Sequence, residues 1–342
     1  MSASLSITSE VESWLRCPKC GAVVVRRRDA YLCDGEGHLW PIVLGIPDFR
    51  LTEDPLIPLA DDYRKGEKLR SESQSRTFKE LVAYYWSLPT DPFTPTDLSA
   101  RFIHHVVTDD ERLKGYDASL GSGDAFLDVG CGAGVLAQSM ASRFPVSVAL
   151  DVGFRWLVVA RRGFEERGLP VNIICANAQH LPFSDVHFDT VASVALLEHV
   201  PDAEAVLAEC ARVTTPGGRV FVSTSNRFSL TAEPHVRVWG VGFLPRPWMP
   251  AYVKWRRGLA YENKHLLSAW ELARGMRRAG LGPVRFEAPV VTPVDVAIMG
   301  GAERAASRLW ALARTVPLLR EVLLRLFPVL QAVGVRRGAA VR

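Results

Sequence analysis

Between residues 121 and 225, short apolar runs alternate with longer amphipathic ones. Phe126-Leu127-Asp128-Val129 ends in Gly130-Cys131-Gly132-Ala133-Gly134, and Val135 to Arg143 then reads as a helix. Pro145 to Leu150 is a second apolar run and ends at Asp151. This alternation is that of βαβ units on a parallel sheet. The rhythm breaks over 226–265, resumes over 266–291, and gives way to helix over 292–327 with a break at Pro317. A last strand is expected over 328–337. Ser268 and Glu271 have the spacing of a capping box, with Leu272, Met276 and Ala279 on the inner face of the helix and Gly280 as its stop.

Upstream, residues 1–50 are rich in strand and turn formers. Residues 51–120 are polar and broken by prolines at 55, 58, 89, 92 and 95, so they read as a linker with helices near 72–87 and 98–115. The expected organisation is a small module (1–50), a helical linker (51–120), a core (121–291) with an insertion at 226–265, and a helical tail with the last strand (292–342).

Composition sharpens this only in part. At 342 residues the length suits one large domain and one small one. Hydrophobic residues make up 48% and charged residues 23%, which excludes a disordered chain. The net charge of +4 is uneven: residues 301–342 hold eight Arg and two Glu, a local +6, which leaves −2 for the remainder. Leu319, Val322, Leu323 and Leu326 form a stripe beside Arg320 and Arg325. Such a helix packs on its own domain or lies on an anionic membrane, and peripheral membrane contact through 303–327 is the second expectation. Cys131, Cys175 and Cys210 are scattered through apolar stretches as small hydrophobes, and nothing resembles a disulfide framework. The first residues lack the pattern of a signal peptide, and no apolar run reaches the roughly 18 residues of a membrane span, so the expected location is the cytoplasm.

The candidate chemistry begins at the glycine turn. Glycines there let the backbone turn tightly and approach a ligand. Dinucleotide enzymes share such a turn, so alone it decides little. Asp151 adds a carboxylate at the end of the next strand, roughly 20 residues on, where it can accept both ribose hydroxyls of an adenosine. Further motifs follow in order: "ANAQHLPF" at 176–183, "FDTVASVALLEHVPD" at 188–202 and "ARVTTPGGRVFVSTSN" at 211–226. With "LDVGCGAG" at 127–134, they make the chain resemble the small-molecule-type class I S-adenosylmethionine-dependent methyltransferases.

That resemblance implies an α/β fold, with a Rossmann-like seven-stranded methyltransferase sheet behind a small N-terminal zinc-ribbon-like module. It implies that Gly130, Gly132 and Gly134 line the methionine and ribose of S-adenosylmethionine. Asp128 holds the methionine ammonium, Asp151 the ribose, Asn177 and Ala178 flank the adenine, and Val194 closes the pocket. One departure is Asn177, where the family carries an acid. An amide oxygen can accept the same hydrogen bond from the adenine amino group but adds no charge.

Cys17, Cys20, Cys33 and His38 have the spacing Cys-x2-Cys-x12-Cys-x4-His. The first pair is a knuckle that supplies two thiolates to one zinc. A Cys3His structural zinc site is the expectation, with Asp34 or Glu36 as substitute ligands. "WPIVLGIPDFR" at 40–50 resembles the C-terminal half of the small zinc-ribbon activator proteins of tRNA and rRNA methyltransferases.

The insertion 226–265 contains seven aromatics and seven Lys or Arg. In the family, insertions there cap the acceptor. Trp239, Phe243, Trp248, Tyr252 and Trp255 are expected to wall it, and Arg237, Arg246, Lys254, Arg256 and Arg257 to meet its anionic groups. His199, His235 and His265, with Glu262, are the candidate general bases, and the sequence does not choose among them. The leading expectation is methyl transfer to a hydroxyl or amine of a small molecule, such as a glycan precursor or secondary metabolite. The alternatives are an RNA methyltransferase, suggested by the zinc knuckle, and a non-catalytic partner that keeps the fold. Residues 1–120 lack a basic run beyond Arg26-Arg27-Arg28, which weighs against RNA. The sequence is silent on oligomeric state.

Overall fold

The computed structural model describes residues 7–88, 103–104, 106, 113–313 and 315–338. Its centre is a seven-stranded sheet built from β5 (Ala125–Val129), β6 (Val146–Asp151), β7 (Val171–Cys175), β8 (Phe188–Val194), β9 (Thr214–Ser225), β10 (Leu281–Glu287) and β11 (Val329–Arg336). The order is β7-β6-β5-β8-β9-β11-β10. Strands β5 to β9 run parallel, and β11 is inserted antiparallel between β9 and β10. The expected Rossmann-like methyltransferase sheet is therefore present, with β11 covering most of the expected last strand. The strand order reverses between β5 and β8, and in open α/β sheets ligands bind in the crevice at that reversal.

Alternation along the strands builds two cores. Leu127, Val129, Val148, Leu150, Val191, Val220 and Val222 face one side, under the helices Ala203–Val213 and Ala269–Arg278. Phe126, Ala149, Ala192 and Phe221 face the other, under Val135–Met140 and Phe154–Arg167. The Ser268/Glu271 capping box is formed, and Leu272 and Met276 are fully buried.

The N-terminal residues form a second, antiparallel sheet of β1 (Val24–Arg26), β2 (Ala30–Cys33), β3 (Leu39–Val43) and β4 (Ile46–Pro47), in that order. It is docked rather than free. Tyr31, Trp40 and Phe49 pack in the same core as the first helical layer. Asp48 bridges Cys175 at the end of β7, where the Phe49 amide donates to the Cys175 carbonyl at 2.7 Å.

The segment 51–120 departs from the linker expectation over its described part. Helices span Leu59–Glu72 and Phe78–Ser87 in place of one over 72–87, with Thr77 and Glu80 forming a capping box that starts the second. Leu69, Phe78, Leu81, Val82 and Tyr85 are buried in the core beside Phe154–Arg167. Most of the helix expected over 98–115 lies outside the described residues.

The insertion folds around a small core of its own, made by Val236, Val238, Val241, Met249, Val253 and Tyr261. In the tail, helices Gly301–Ala313 and Pro317–Leu324 are separate. Leu324 turns inward, while Leu319 and Val322 of the expected stripe are exposed. Among the described residues, no helix is long and apolar enough to cross a membrane.

Candidate functional site: a cofactor crevice and a histidine cluster

The glycine turn after β5 sits at the sheet's reversal point. Gly130 has φ 76°, and its N–H and that of Cys131 donate to the Leu150 carbonyl at 2.8 and 3.0 Å. Gly134 has φ 72° and precedes the helix Val135–Met140. A Cβ there would lie 2.7 Å from the Phe164 ring, so only glycine fits. At Gly132 a Cβ would meet nothing within 4 Å, so the turn is open on that side.

Asp151 closes the crevice from β6. Its Oδ2 accepts from the Gly132 amide at 2.8 Å and its Oδ1 from the Gly153 amide at 2.7 Å. Burial raises its pKa to about 6, despite those two amides; nearby Asp54 pushes it up and Arg155 pulls it down. Asp128 is buried in β5 and accepts from the Ala137 amide at 3.2 Å. Burial, with Asp151 nearby, raises it to about 7. An open glycine turn flanked by two carboxylates fits a ligand that carries hydroxyls and an ammonium. S-adenosylmethionine has both.

Ala178 is buried beyond β7, and Val194 ends β8 half-exposed. The Asn177 side chain binds the 51–52 turn. Its Oδ1 accepts from the Leu51 and Thr52 amides at 2.7 and 3.1 Å, and its Nδ2 donates to the Thr52 carbonyl and hydroxyl at 3.1 and 3.0 Å. The amide is thus engaged in holding the 51–52 turn.

Beyond β8 lies a cluster of titratable groups. Glu198 is buried; Thr224 Oγ1 donates to its Oε2 at 2.6 Å, and Ser225 donates to its Oε1 through N at 3.2 Å and Oγ at 2.9 Å. The rings of His199 and His235 meet edge to face at 4.9 Å. Burial lowers His199 to about 4, with His235, Lys264 and His265 adding to the effect against Glu198. It is therefore neutral near pH 7, and Lys264 Nζ lies 3.4 Å from its Nδ1. His235 Nδ1 lies 2.6 Å from Glu233 Oε1, and the other Glu233 oxygen accepts from the Val236 amide at 2.8 Å. In the neutral tautomer that donates Nδ1–H to Glu233, His235 Nε2 would be an acceptor. His265 contributes its backbone N–H to the Glu198 carbonyl, and its side chain is exposed, as is Glu262. Two of the three expected histidines thus meet. Glu233 and Lys264 join them without any sequence signal, since a lone acid two residues before a histidine is commonplace.

Three of the aromatics expected to wall the acceptor are exposed. Trp239, Trp248 and Trp255 are 63%, 65% and 76% exposed. Trp239 Nε1 donates to the Leu230 carbonyl at 3.1 Å, and Arg256 lies over the Trp255 ring. Arg246 pairs with Glu271 at 2.7 Å, tying the insertion to the helix Ala269–Arg278.

In the N-terminal sheet, Cys17, Cys20, Cys33 and His38 bring their ligand atoms within 4.8 Å of one another. Cys20 and Cys33 sulfurs are 3.3 Å apart, and Cys17 Sγ is 3.4 Å from His38 Nδ1. A tetrahedral zinc with sulfur ligands at about 2.3 Å sets ligand atoms about 3.8 Å apart, so the donor set fits. Glu36 lies behind the imidazole, 3.4 Å from His38 Nε2, and orients the ring where it was expected as a substitute ligand.

Comparison with known proteins gives the family. A methyltransferase-domain family model matches residues 127–222. A ubiquinone biosynthesis O-methyltransferase of Saccharophagus degradans is 33% identical over 214 residues, covering 60% of this chain and 79% of the relative. The chain belongs to the class I S-adenosylmethionine-dependent methyltransferases. The chain is also 34% identical to the ubiquinone biosynthesis O-methyltransferase of Aliivibrio fischeri over 157 residues, 45% of its own length, and spans only 63% of that relative's length. Among solved structures, phosphoethanolamine N-methyltransferase 2 of Haemonchus contortus with S-adenosyl-L-methionine is 16% identical, with a TM-score of 0.44; the match covers 67% of this chain and 52% of that one.

Proposed function

We propose that the protein transfers a methyl group from S-adenosylmethionine to a hydroxyl of a small molecule. The observation that carries this is the Asp151 carboxylate, held by the Gly132 and Gly153 amides at the mouth of the crevice. Asp151 would receive the ribose, Asp128 the methionine ammonium, and the Gly130–Gly134 turn the chain between them. The bound cofactor would supply an electrophilic methyl on a cationic sulfur. What remains for the chain is to place the acceptor in line, keep water away and take the acceptor's proton. The O-methyltransferase relatives support a hydroxyl acceptor over an amine.

His235 is the base this reading selects. Glu233 fixes its ring and tautomer. His199 is too weak a base at about 4, and it stands beside His235 as a neutral neighbour. In the N-terminal sheet, Cys17, Cys20, Cys33 and His38 would hold a structural zinc.

The test is an assay with methyl-labelled S-adenosylmethionine and catechol, a nucleotide sugar, aniline and ribosomal RNA as probes. Label is expected in a hydroxyl-bearing small molecule. Label confined to aniline or to RNA would overturn the reading.

A further inference from the structure

We infer that residues 48–62 are a working part of the cofactor pocket, so that the N-terminal module serves cofactor binding. This rests on the S-adenosylmethionine reading above. The observation behind it is a buried network of two guanidiniums and three carboxylates, none of which the reaction itself uses.

Arg50 is its centre. Its Nε and Nη2 fork onto Asp48 at 3.0 and 2.5 Å, and its Nη1 donates to Asp62 Oδ2 at 2.7 Å and to the Val152 carbonyl at 3.0 Å. Tyr63 donates to Asp48 at 2.7 Å. Arg155 donates through Nη1 to Asp54 at 2.7 Å and Asp62 at 3.1 Å, and through Nε to Tyr85 at 3.0 Å. Arg50 and Arg155 side chains are each 3% exposed, and Asp62 is fully buried. Charges so deeply placed persist only where partners satisfy them.

The network reaches the cofactor residues by two routes. The helix Phe154–Arg167 starts three residues after Asp151, and its N-cap, Gly153, has no side chain to cap it. Its first amides would be orphaned. Asp62 supplies the cap from a distance: Oδ2 accepts from the Phe154 amide at 3.0 Å and Oδ1 from the Arg155 amide at 3.1 Å. The same turn presents the Gly153 amide to Asp151. Arg50 therefore holds Asp62, Asp62 holds the helix start, and the helix start holds the ribose acid. The second route is Asn177, whose side chain binds the backbone of Leu51 and Thr52. The turns after β6 and β7 thus both lean on 48–62. Three carboxylates face two guanidiniums, and Asp54 acts on Asp151.

Coupling of this kind is reciprocal: if 48–62 orders the pocket, the ligand must order 48–62. Hydrogen exchange on the full-length wild-type chain, with and without saturating S-adenosylhomocysteine, reads this directly. Peptides covering 46–62 should exchange at least tenfold more slowly with ligand, together with 126–135 and 150–155, while those covering 24–43 stay unchanged. Slowing limited to 126–135 and 150–155, with 46–62 within twofold, overturns the inference alone. Absence of binding overturns the cofactor reading and the inference with it. As a second measurement, Arg50→Gln should weaken S-adenosylhomocysteine at least tenfold at a temperature where circular dichroism shows a folded chain. Arg50→Lys, which keeps the charge and loses the fork, should fall between. Affinity within twofold of wild type in folded Arg50→Gln also overturns it. Should Arg50→Gln fail to fold, the exchange experiment decides.

Discussion

Asp151 and Gly132 are joined by a 2.8 Å hydrogen bond from the glycine amide to the carboxylate. The acid that ends β6 is thereby tied to the turn that follows β5. One carboxylate position and one backbone conformation are set together. Such preorganisation lowers the ordering cost of binding.

The state of that carboxylate makes binding depend on pH. Burial raises Asp151 to about 6, so it is protonated below that value. A protonated acid loses one acceptor site and its charge. Affinity for S-adenosylhomocysteine should therefore be full near pH 8 and fall as pH drops through 7 and 6, with Asp151 alone contributing about tenfold by pH 5. Asp128, raised to about 7, acts in the same direction. Calorimetric titration across pH 5–8 checks this, and an affinity that is flat or rises toward pH 5 contradicts it.

The base assignment separates turnover from cofactor binding. His235→Gln should lower kcat by about 10²–10⁴. Glu233→Gln, which leaves the ring less firmly oriented, should lower it less. Neither should move S-adenosylhomocysteine affinity more than about twofold, because the acids assigned to the cofactor, Asp128 and Asp151, belong to β5 and β6 and His235 belongs to the insertion. Steady-state kinetics on the acceptor found in the probe assay, beside a titration of each variant, measures both. An unchanged kcat in His235→Gln would remove the base from His235.

The metal site predicts a stoichiometry. Protein expressed with zinc should carry about one equivalent by elemental analysis, held by the Cys17, Cys20, Cys33 and His38 set. Cys17→Ser combined with Cys20→Ser should lose it. Metal-free wild-type protein after gentle purification would mean that the ribbon folds without an ion.

The core of this fold is legible in the chain because its signals are local. The glycine turn and each apolar run span only a few residues, and the acid ends the very next strand. The Leu59–Glu72 helix was not legible, for a physical reason. Its buried positions are Asp62, Lys65, Gly66 and Leu69. The spacing is helical, but two of the four positions are charged and only Leu69 is a large apolar side chain, so no hydrophobic period shows. Gly66 is there for close approach: a Cβ would lie 2.7 Å from the Phe154 ring. Arg50 and Asp62 find each other only in three dimensions. The aromatics of the insertion fail in the opposite way, since their density suggests a wall while the structure leaves Trp239, Trp248 and Trp255 facing outward. Composition reports what is present and not which way it points.

The most direct test of the account is a titration of S-adenosylhomocysteine into wild-type protein and Asp151→Ala. Wild type should show one site. Asp151→Ala should remove hydrogen bonds from two ribose hydroxyls to a carboxylate, at about 1.5–3 kcal/mol for each. That is at least a tenfold loss of affinity in a chain that remains folded. A folded Asp151→Ala protein that binds as tightly as wild type would contradict the assignment of this crevice to the cofactor.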